Sequence, residues 1–508
     1  MKTLISFVLL LSFIMTMLAS CAGSGNGTND NPGTSKNPES TADPGNTSTV
    51  QGTELDPLPE ALTSLDYGNR KFYVLCRSGE GDMVGKNDFL SEELTNNPVE
   101  DAIYNRTQIV NETLNIDIQA VKMTQANIET EITRVISSGD STYDLVESKE
   151  WRIVRFISQG YMYNLLDDDI DSFLDIENPW WSQEWIDQAI LGKDALYFIT
   201  GAPALTLYKL IYVMFYNKDF GERNKIEDLY KIVDDGKWTI DYVSELVSSL
   251  YNSLNGDDIR DNVDQYGLVT TADIDTDPFW SSCDMTVFSR NEEGWFEFSD
   301  ADIEKIQTVF EKLFKLLHNN PGTWVSEASD IMTEKEIMFA SGNSLLASLH
   351  LRFAEYEKLR NMQDEYGILP IPKYDEKQKE YYSYVHDQYS VFFIPSIATD
   401  PEMTSAVLEM MAYENFKNVL PVYYDLVLKG RYANDPQSRQ MLDRITSNIK
   451  MDSAWIYGQV LLGPCERLIR DPLREKKQEF SSILAELKGK LKTYLKVFRS
   501  DMEKLEEG

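Results

Sequence analysis

The sequence predicts a mixed α/β fold with parallel strands and helices on the sheet faces. Two observations carry that expectation. Short β-rich runs alternate with stretches that keep one apolar helical face, the pattern of strand–helix–strand units. The 508 residues are 42% hydrophobic and 11% aromatic, enough for a large core and for two to four average domains or two large interleaved lobes.

Each element can be justified in turn. Lys71-Phe-Tyr-Val-Leu-Cys76 reads as a buried strand. Asn97-Pro98-Val99-Glu100 opens a helix, with Asn at the cap, Pro at the first position and Glu at the third. Ile103, Thr107, Val110 and Leu114 hold its inner face. Ile116–Val121 is a second strand, and Ile128, Ile132, Val135 and Ile136 mark a second helix that Gly139-Asp140 ends. Tyr143–Val146 is a third strand. Leu196–Ile199, Lys209–Tyr216 and Val391–Ile394 also read as strands. Helices are expected after Thr239, over Ile303–Leu317 and Pro401–Tyr413, and on the stripe Ile483, Leu487, Leu491, Leu495 and Phe498. On an open sheet of this kind, ligands sit beyond the carboxyl ends of the strands.

The N-terminus carries targeting information. Lys2, the apolar run Leu4–Leu18 and small residues before Cys21 make a secretory signal over residues 1–20. Leu18-Ala19-Ser20-Cys21 resembles the bacterial lipobox, in which the Cys thiol is acylated and the chain is cut just before it. Residues 21–65 then form a lipid-anchored flexible tether, because Ala22–Thr53 is nearly all Gly, Ser, Thr, Asn and Pro and cannot bury enough surface to offset chain entropy. The expected location is extracytoplasmic, at the cell membrane.

Charge and motifs exclude several functions. A net charge of −35 repels nucleic acid. Beyond Cys21 only Cys76, Cys283 and Cys465 remain, an odd number, so no complete disulfide framework exists, although a Cys283–Cys465 bridge is possible. The three histidines form no zinc motif, and there is no nucleophile elbow and no phosphate-cradling loop. Asp273-x-Asp275-x-Asp277 imitates half a calcium loop, but Pro278 stands where such a loop needs Gly, so a solvated turn is expected. No catalytic residue, metal or cofactor is expected.

Four stretches, in order, carry a family resemblance: Tyr216-Asn-Lys-Asp219, Lys237-Trp-Thr239, Phe339-x-x-Gly342 and Tyr366-Gly-Ile-Leu-Pro370. Together they resemble family 1 of the extracellular solute-binding proteins, the sugar-binding lipoproteins of ABC importers that include maltodextrin-binding protein. The resemblance implies a two-lobe, periplasmic-binding-protein-like (type II) fold with a hinged interlobe cleft. Lobe one would be 66–200 and 371–413, and lobe two 203–369 and 414–508. Chain crossings are implied near Phe198–Ala204, Tyr366–Pro372 and Ala412–Phe416. The implied partners are a small-molecule solute, a sugar by preference, and the ABC permease subunits. The receptor would be a monomer and not an enzyme, with a surface-tethered glycan-active enzyme or adhesin as the alternative.

Sugar recognition needs aromatic faces for stacking and planar polar groups for hydroxyls. The ends of the first and third strands offer Arg77 and Glu80, and Glu147, Glu150, Trp151 and Arg152. Trp151 stands where the family places a stacking aromatic. Trp280 and Trp455 are the candidates from lobe two. Tyr384, His386 and Asp387 lead into the Val391 strand, with His386 expected as a hydrogen-bonded structural residue.

Overall fold

The computed structural model describes residues 55–506 apart from 81–82, 168–169, 171, 258, 328–330 and 430–434. The signal, Cys21 and most of the tether lie outside the described residues. The described residues include the end of the expected tether, residues 55–65. Leu62, in the short helix Glu60–Thr63, is sealed in the core.

Two sheets organise the chain. The first contains β1 (Arg70–Arg77), β2 (Ile116–Met123) and β3 (Leu145–Lys149). The second contains β4 (Tyr212–Asn217), β5 (Tyr266–Thr270), β8 (Thr323–Val325), β9 (Ser344–His350) and β10 (Tyr366–Leu369). A small hairpin joins β6 (Phe288–Arg290) to β7 (Phe296–Phe298). The last strand, β11 (Ser390–Phe393), returns to the first sheet. The strand orders are β11-β3-β1-β2 and β10-β4-β9-β5-β8. β1 runs parallel to β2 and β3, and β11 runs antiparallel to β3. In the second sheet β5 is parallel to β8 and β9, while β4 is antiparallel to β9 and β10.

Local chemistry explains these boundaries. Helix Pro98–Leu114 starts where the Asn97 side chain accepts from the Val99 N–H at 3.0 Å, and it stops at Asn115, whose φ is 49°. Helix Gln125–Ser138 ends at Gly139 with φ 67°, a conformation that glycine adopts without a Cβ penalty. Thr239 caps helix Ile240–Val247 through the Tyr242 N–H. The strand expected over Tyr143–Val146 lies at Leu145–Lys149, preceded by Asp144, whose backbone N–H donates to the Tyr73 carbonyl while its carboxylate accepts the Tyr73 N–H. Leu196–Ile199 is extended but forms only an isolated bridge, Ile199 to Phe392. Lys209–Tyr216 divides into a helical turn, Thr206–Lys209, and β4.

Two antiparallel crossings connect the sheets. Their first ends meet at the Ile199–Phe392 bridge and their second ends at the Ile211–Val385 bridge. The chain does not leave the second sheet directly after β10. Lys373 bridges Thr239, the Tyr381 hydroxyl accepts from the Trp238 N–H, and the Tyr384 carbonyl accepts from the Tyr212 N–H. Only at His386–Ser390 does it pass to β11. Helices Pro401–Glu414 and Leu420–Lys429 both pack on helix Pro98–Leu114, whereas helix Pro436–Ser447 packs on β10. The last helix, Phe480–Glu506, touches β7 and also the turn Val154–Gln159 next to the first sheet. Among the described residues, no helix is long and apolar enough to cross a membrane.

Candidate functional site

The crossings bring the carboxyl end of β3 against the start of β11, so that Glu150 N–H faces the Tyr389 carbonyl at 3.4 Å. Glu150 is 2% exposed, and its Oε1 has no hydrogen-bond partner. Burial pushes its carboxyl well above the usual carboxylate range, and the negative charges of Asp387 and Glu466 push the same way. Glu466 carries an unpartnered Oε2 and is likewise raised by burial, with Arg470 opposing. Arg470 donates Nε to Asp277 Oδ1 at 2.8 Å and Nη2 to Asp277 Oδ2. Burial drives the Asp277 carboxyl upward, and the Arg470 guanidinium opposes that shift. The same guanidinium lies 5.5 Å from the Trp455 ring centre.

Aromatic rings line the rest of this cluster. Trp455 packs on Tyr384 with centroids 5.4 Å apart, and Tyr384 stacks on Tyr212 at 6.0 Å. Trp455 Nε1, Tyr384 Oη and Tyr212 Oη are buried without hydrogen-bond partners. His350 stands 4.3 Å from Tyr212 and 5.1 Å from His386, with both ring nitrogens unpartnered. Burial, then the His386 and Arg352 charges, holds His350 well below the usual histidine range, so it is neutral. His386 Nδ1 lies 3.3 Å from the Asp387 carboxylate. The cluster thus draws on the ends of β3, β4 and β9, on the crossing into β11, and on the segment 455–470. An unpartnered buried polar atom is costly, so these groups call for partners from water or from a ligand.

The structure distributes the sequence-predicted residues unevenly. Glu150 and Trp455 enter the cluster. Arg77 and Glu147 are not open to a solute in this structure, since each is buried and they bond to one another. Glu147 Oε1 accepts from Arg77 Nε at 2.9 Å and Nη2 at 2.8 Å, and Oε2 accepts the Arg77 backbone N–H. Arg77 also donates to the Gln388 carbonyl and the Ser390 hydroxyl, tying β1 to the crossing. Arg152 turns away and forms a two-point pair with Glu129 at 2.6 and 3.0 Å. Trp151 is half-buried beneath the Arg152 guanidinium, and Glu80 is exposed on its loop. Trp280 is buried in helix Pro278–Ser282, and its Nε1 too has no hydrogen-bond partner. The solvated turn expected at Asp273–Asp277 is mostly interior: Asp275 pairs with the fully buried Lys335, and Asp277 with Arg470. Cys76, Cys283 and Cys465 are free and buried.

Sequence reasoning missed Tyr212, Asp277, Glu466 and Arg470 as site residues, and it named Tyr384 and Asp387 only as neighbours of a strand. A signal existed for the last two. Because β11 runs antiparallel, its start lies at the same sheet edge as the carboxyl ends of its parallel neighbours. Two surface hollows, of about 190 and 530 Å³, are lined by Arg467, Glu475 and Lys490 among others, and by Tyr163, Asn164 and Asp194 among others. Neither is lined by Glu150, Tyr384, Trp455, Glu466 or Arg470.

No protein-family model and no curated protein sequence matches the chain. Solved structures do. A cyclo/maltodextrin-binding protein complexed with maltotetraose aligns with a TM-score of 0.54 at 13% identity, over 84% of this chain and 98% of that one. The GacH receptor of Streptomyces glaucescens, solved unliganded and with acarbose, gives 0.52 at 11% identity, over 84% and 99%. An ABC substrate-binding protein of Listeria monocytogenes in complex with cycloalternan gives 0.51 at 11%, over 84% and 99%. The chain therefore has the α/β fold, with two sheets, of the type II periplasmic binding proteins.

Proposed function

We propose that this chain is an extracytoplasmic solute receptor that captures an oligosaccharide between its two sheets and delivers it to an ABC permease. The observation that carries the reading is the cluster at the crossings, where Trp455, Tyr384 and Tyr212 supply stacking faces beside buried polar atoms that have no partner within the protein. Such a mixture suits a sugar, which offers an apolar ring face and a rim of hydroxyls. The likeness in fold to structures solved with maltotetraose and cycloalternan supports the same reading. The two crossings are suited to a hinge that closes one lobe on the other. Anchoring by an acylated Cys21 rests on the lipobox resemblance. The receptor would act without catalysis or cofactor, as a monomer.

The decisive measurement is calorimetry of the mature protein with a panel of malto-, manno- and gluco-oligosaccharides. Saturable binding without turnover of a reducing-end-labelled glycan is expected, and cleavage of that glycan would replace the receptor by a glycosidase. The anchor is tested separately. Cys21→Ala should move the protein from the membrane fraction to the soluble fraction, and full retention at the membrane would sink the lipid anchor.

A further inference from the structure

We infer that Arg290 and Tyr457 form a latch between the two sheet-bearing halves of the chain, and that this latch holds Trp455 in position for the solute. The inference rests on the receptor reading above. Helix Gln183–Ala189 belongs to the half built on the first sheet. Its Trp185 Nε1 donates to Tyr389 Oη at 2.6 Å, and the Trp180 and Trp181 indoles just before it donate to Glu409 in helix Pro401–Glu414. The β6–β7 hairpin belongs to the other half. It lies between helix Pro278–Ser282, which follows β5, and helix Ile303–His318, which packs on β8. Helix Ser453–Ile456 is tied to that half as well, because the Ser281 hydroxyl donates to the Lys450 carbonyl at 3.0 Å.

The last carbonyls of a helix have no partner within it. Here three in succession accept from the other half. Arg290 Nη2 donates to the Asp187 carbonyl at 3.0 Å and to the Gln188 carbonyl at 3.1 Å, and the Tyr457 hydroxyl donates to the Ala189 carbonyl. A cation at this end of a helix is also favoured by the helix dipole. The guanidinium is aimed from its own side, by the Gly294 carbonyl at 2.8 Å and by the Phe296 ring centre 4.6 Å away. Tyr457 packs on the same Phe296 ring at 5.3 Å. The hairpin tip leaves no room for a side chain, since a Cβ on Gly294 would stand 1.8 Å from the Gly192 carbonyl oxygen. The Ser453 N–H donates to Gln188 Oε1 at 3.2 Å, which seats helix Ser453–Ile456, and Trp455 with it, against the first half. Arg290 is exposed, so its bonds can be given up to water when the halves move. A solute that needs this arrangement binds in proportion to the fraction of molecules that hold it.

The test uses the unliganded mature chain carrying Cys21→Ala, with spin labels on Glu177→Cys beside Asn178 of the first half and on Glu297→Cys in the hairpin. Both positions are exposed, whereas Cys76, Cys283 and Cys465 are buried. Pulsed electron resonance should give one narrow distance distribution for this background. Arg290→Ala should add a longer-distance population and change the ratio of the two by at least about tenfold, the scale of a lost hydrogen bond to a charged group. Tyr457→Phe, which keeps the ring, should do the same more weakly. Arg290→Lys keeps a cation at the carbonyls and should restore most of the narrow distribution. An unchanged distribution in Arg290→Ala, whatever its denaturation midpoint, would overturn the latch and make Arg290 a packing residue. Arg290→Lys as spread as Arg290→Ala would overturn the pairing of cation and carbonyls as its cause. No solute enters this experiment, so the calorimetry above decides the receptor and the label distances decide the latch.

Discussion

Glu147 and Glu150 are three residues apart at the same end of β3, and both are buried, yet the protein treats them in opposite ways. Glu147 is closed off. Its two oxygens receive three donors from Arg77, and Arg77 in turn reaches the Gln388 carbonyl and the Ser390 hydroxyl. Thr206, on the opposite crossing, accepts the Ser390 N–H at 2.8 Å and donates to its hydroxyl. Glu150 keeps one unpartnered oxygen, and burial, then the Asp387 and Glu466 charges, pushes its carboxyl upward. One carboxylate holds the crossings to the sheet. The other adds unfavourable energy to the unliganded protein, which a ligand can recover. Burial alone therefore does not separate these two acids; completeness of their partners does.

The comparison breaks most visibly at Arg77. Arg77→Met should destabilise the fold by about 3–5 kcal/mol, because it leaves Glu147 buried without its cation. Chemical denaturation reads this directly. Adding Glu147→Leu to that variant should recover much of the loss, since removing both partners also removes the desolvation cost. A double variant as unstable as the single one would mean that Arg77 acts mainly through Gln388 and Ser390.

Trp455 sharpens the other side. Truncating a desolvated aromatic in a binding site costs about 2 kcal/mol or more, so Trp455→Ala should weaken solute binding roughly thirtyfold. Trp151→Ala, with its ring half-buried under Arg152 and outside the cluster, should cost less. Calorimetry on both variants, each with its own denaturation midpoint, separates binding from packing. A larger affinity loss at Trp151 would move the binding site to the outer end of β3.

Much of the fold was legible because local chemistry and burial agree. The Asn97-Pro98 start, the Gly139 stop and the Phe72–Cys76 run each correspond to an element within a residue or two. The strand Leu196–Ile199 was misjudged for a physical reason. Its composition suits a ladder, but it serves as a crossing and pairs with the opposite crossing at a single residue. The site was less legible than the fold. Glu150 and Trp455 were visible as a strand-end acid and an aromatic, but nothing local distinguishes Glu147 from Glu150, because the distinction depends on Arg77, seventy residues away. Glu466 and Arg470 sit in a helical segment whose pairing with Asp277 spans 193 residues of sequence.

The smallest expected effect is also the most specific, and it lies in the pH dependence of the unliganded protein. The Glu150 carboxyl stands above its ordinary value of 4.5, first through burial and then through Asp387 and Glu466. A raised carboxyl binds its proton more tightly when folded than when unfolded. Its contribution to stability is therefore fully present below about pH 4.5 and is lost as pH rises through the folded value. Glu466 contributes in the same direction, with Arg470 limiting its share. Wild type should accordingly lose stability between mildly acidic and neutral pH. Glu150→Gln should flatten that slope and leave the variant more stable than wild type at pH 8. Glu150→Gln with Glu466→Gln should be flatter still. Tyr389, whose phenol is raised well above its ordinary value by burial and by Glu150, stays protonated throughout and adds no slope. Thermal unfolding from pH 4 to pH 8 measures all three proteins in one series. An unchanged slope in Glu150→Gln would show that the buried acid is already paired, and the contrast with Glu147 would vanish.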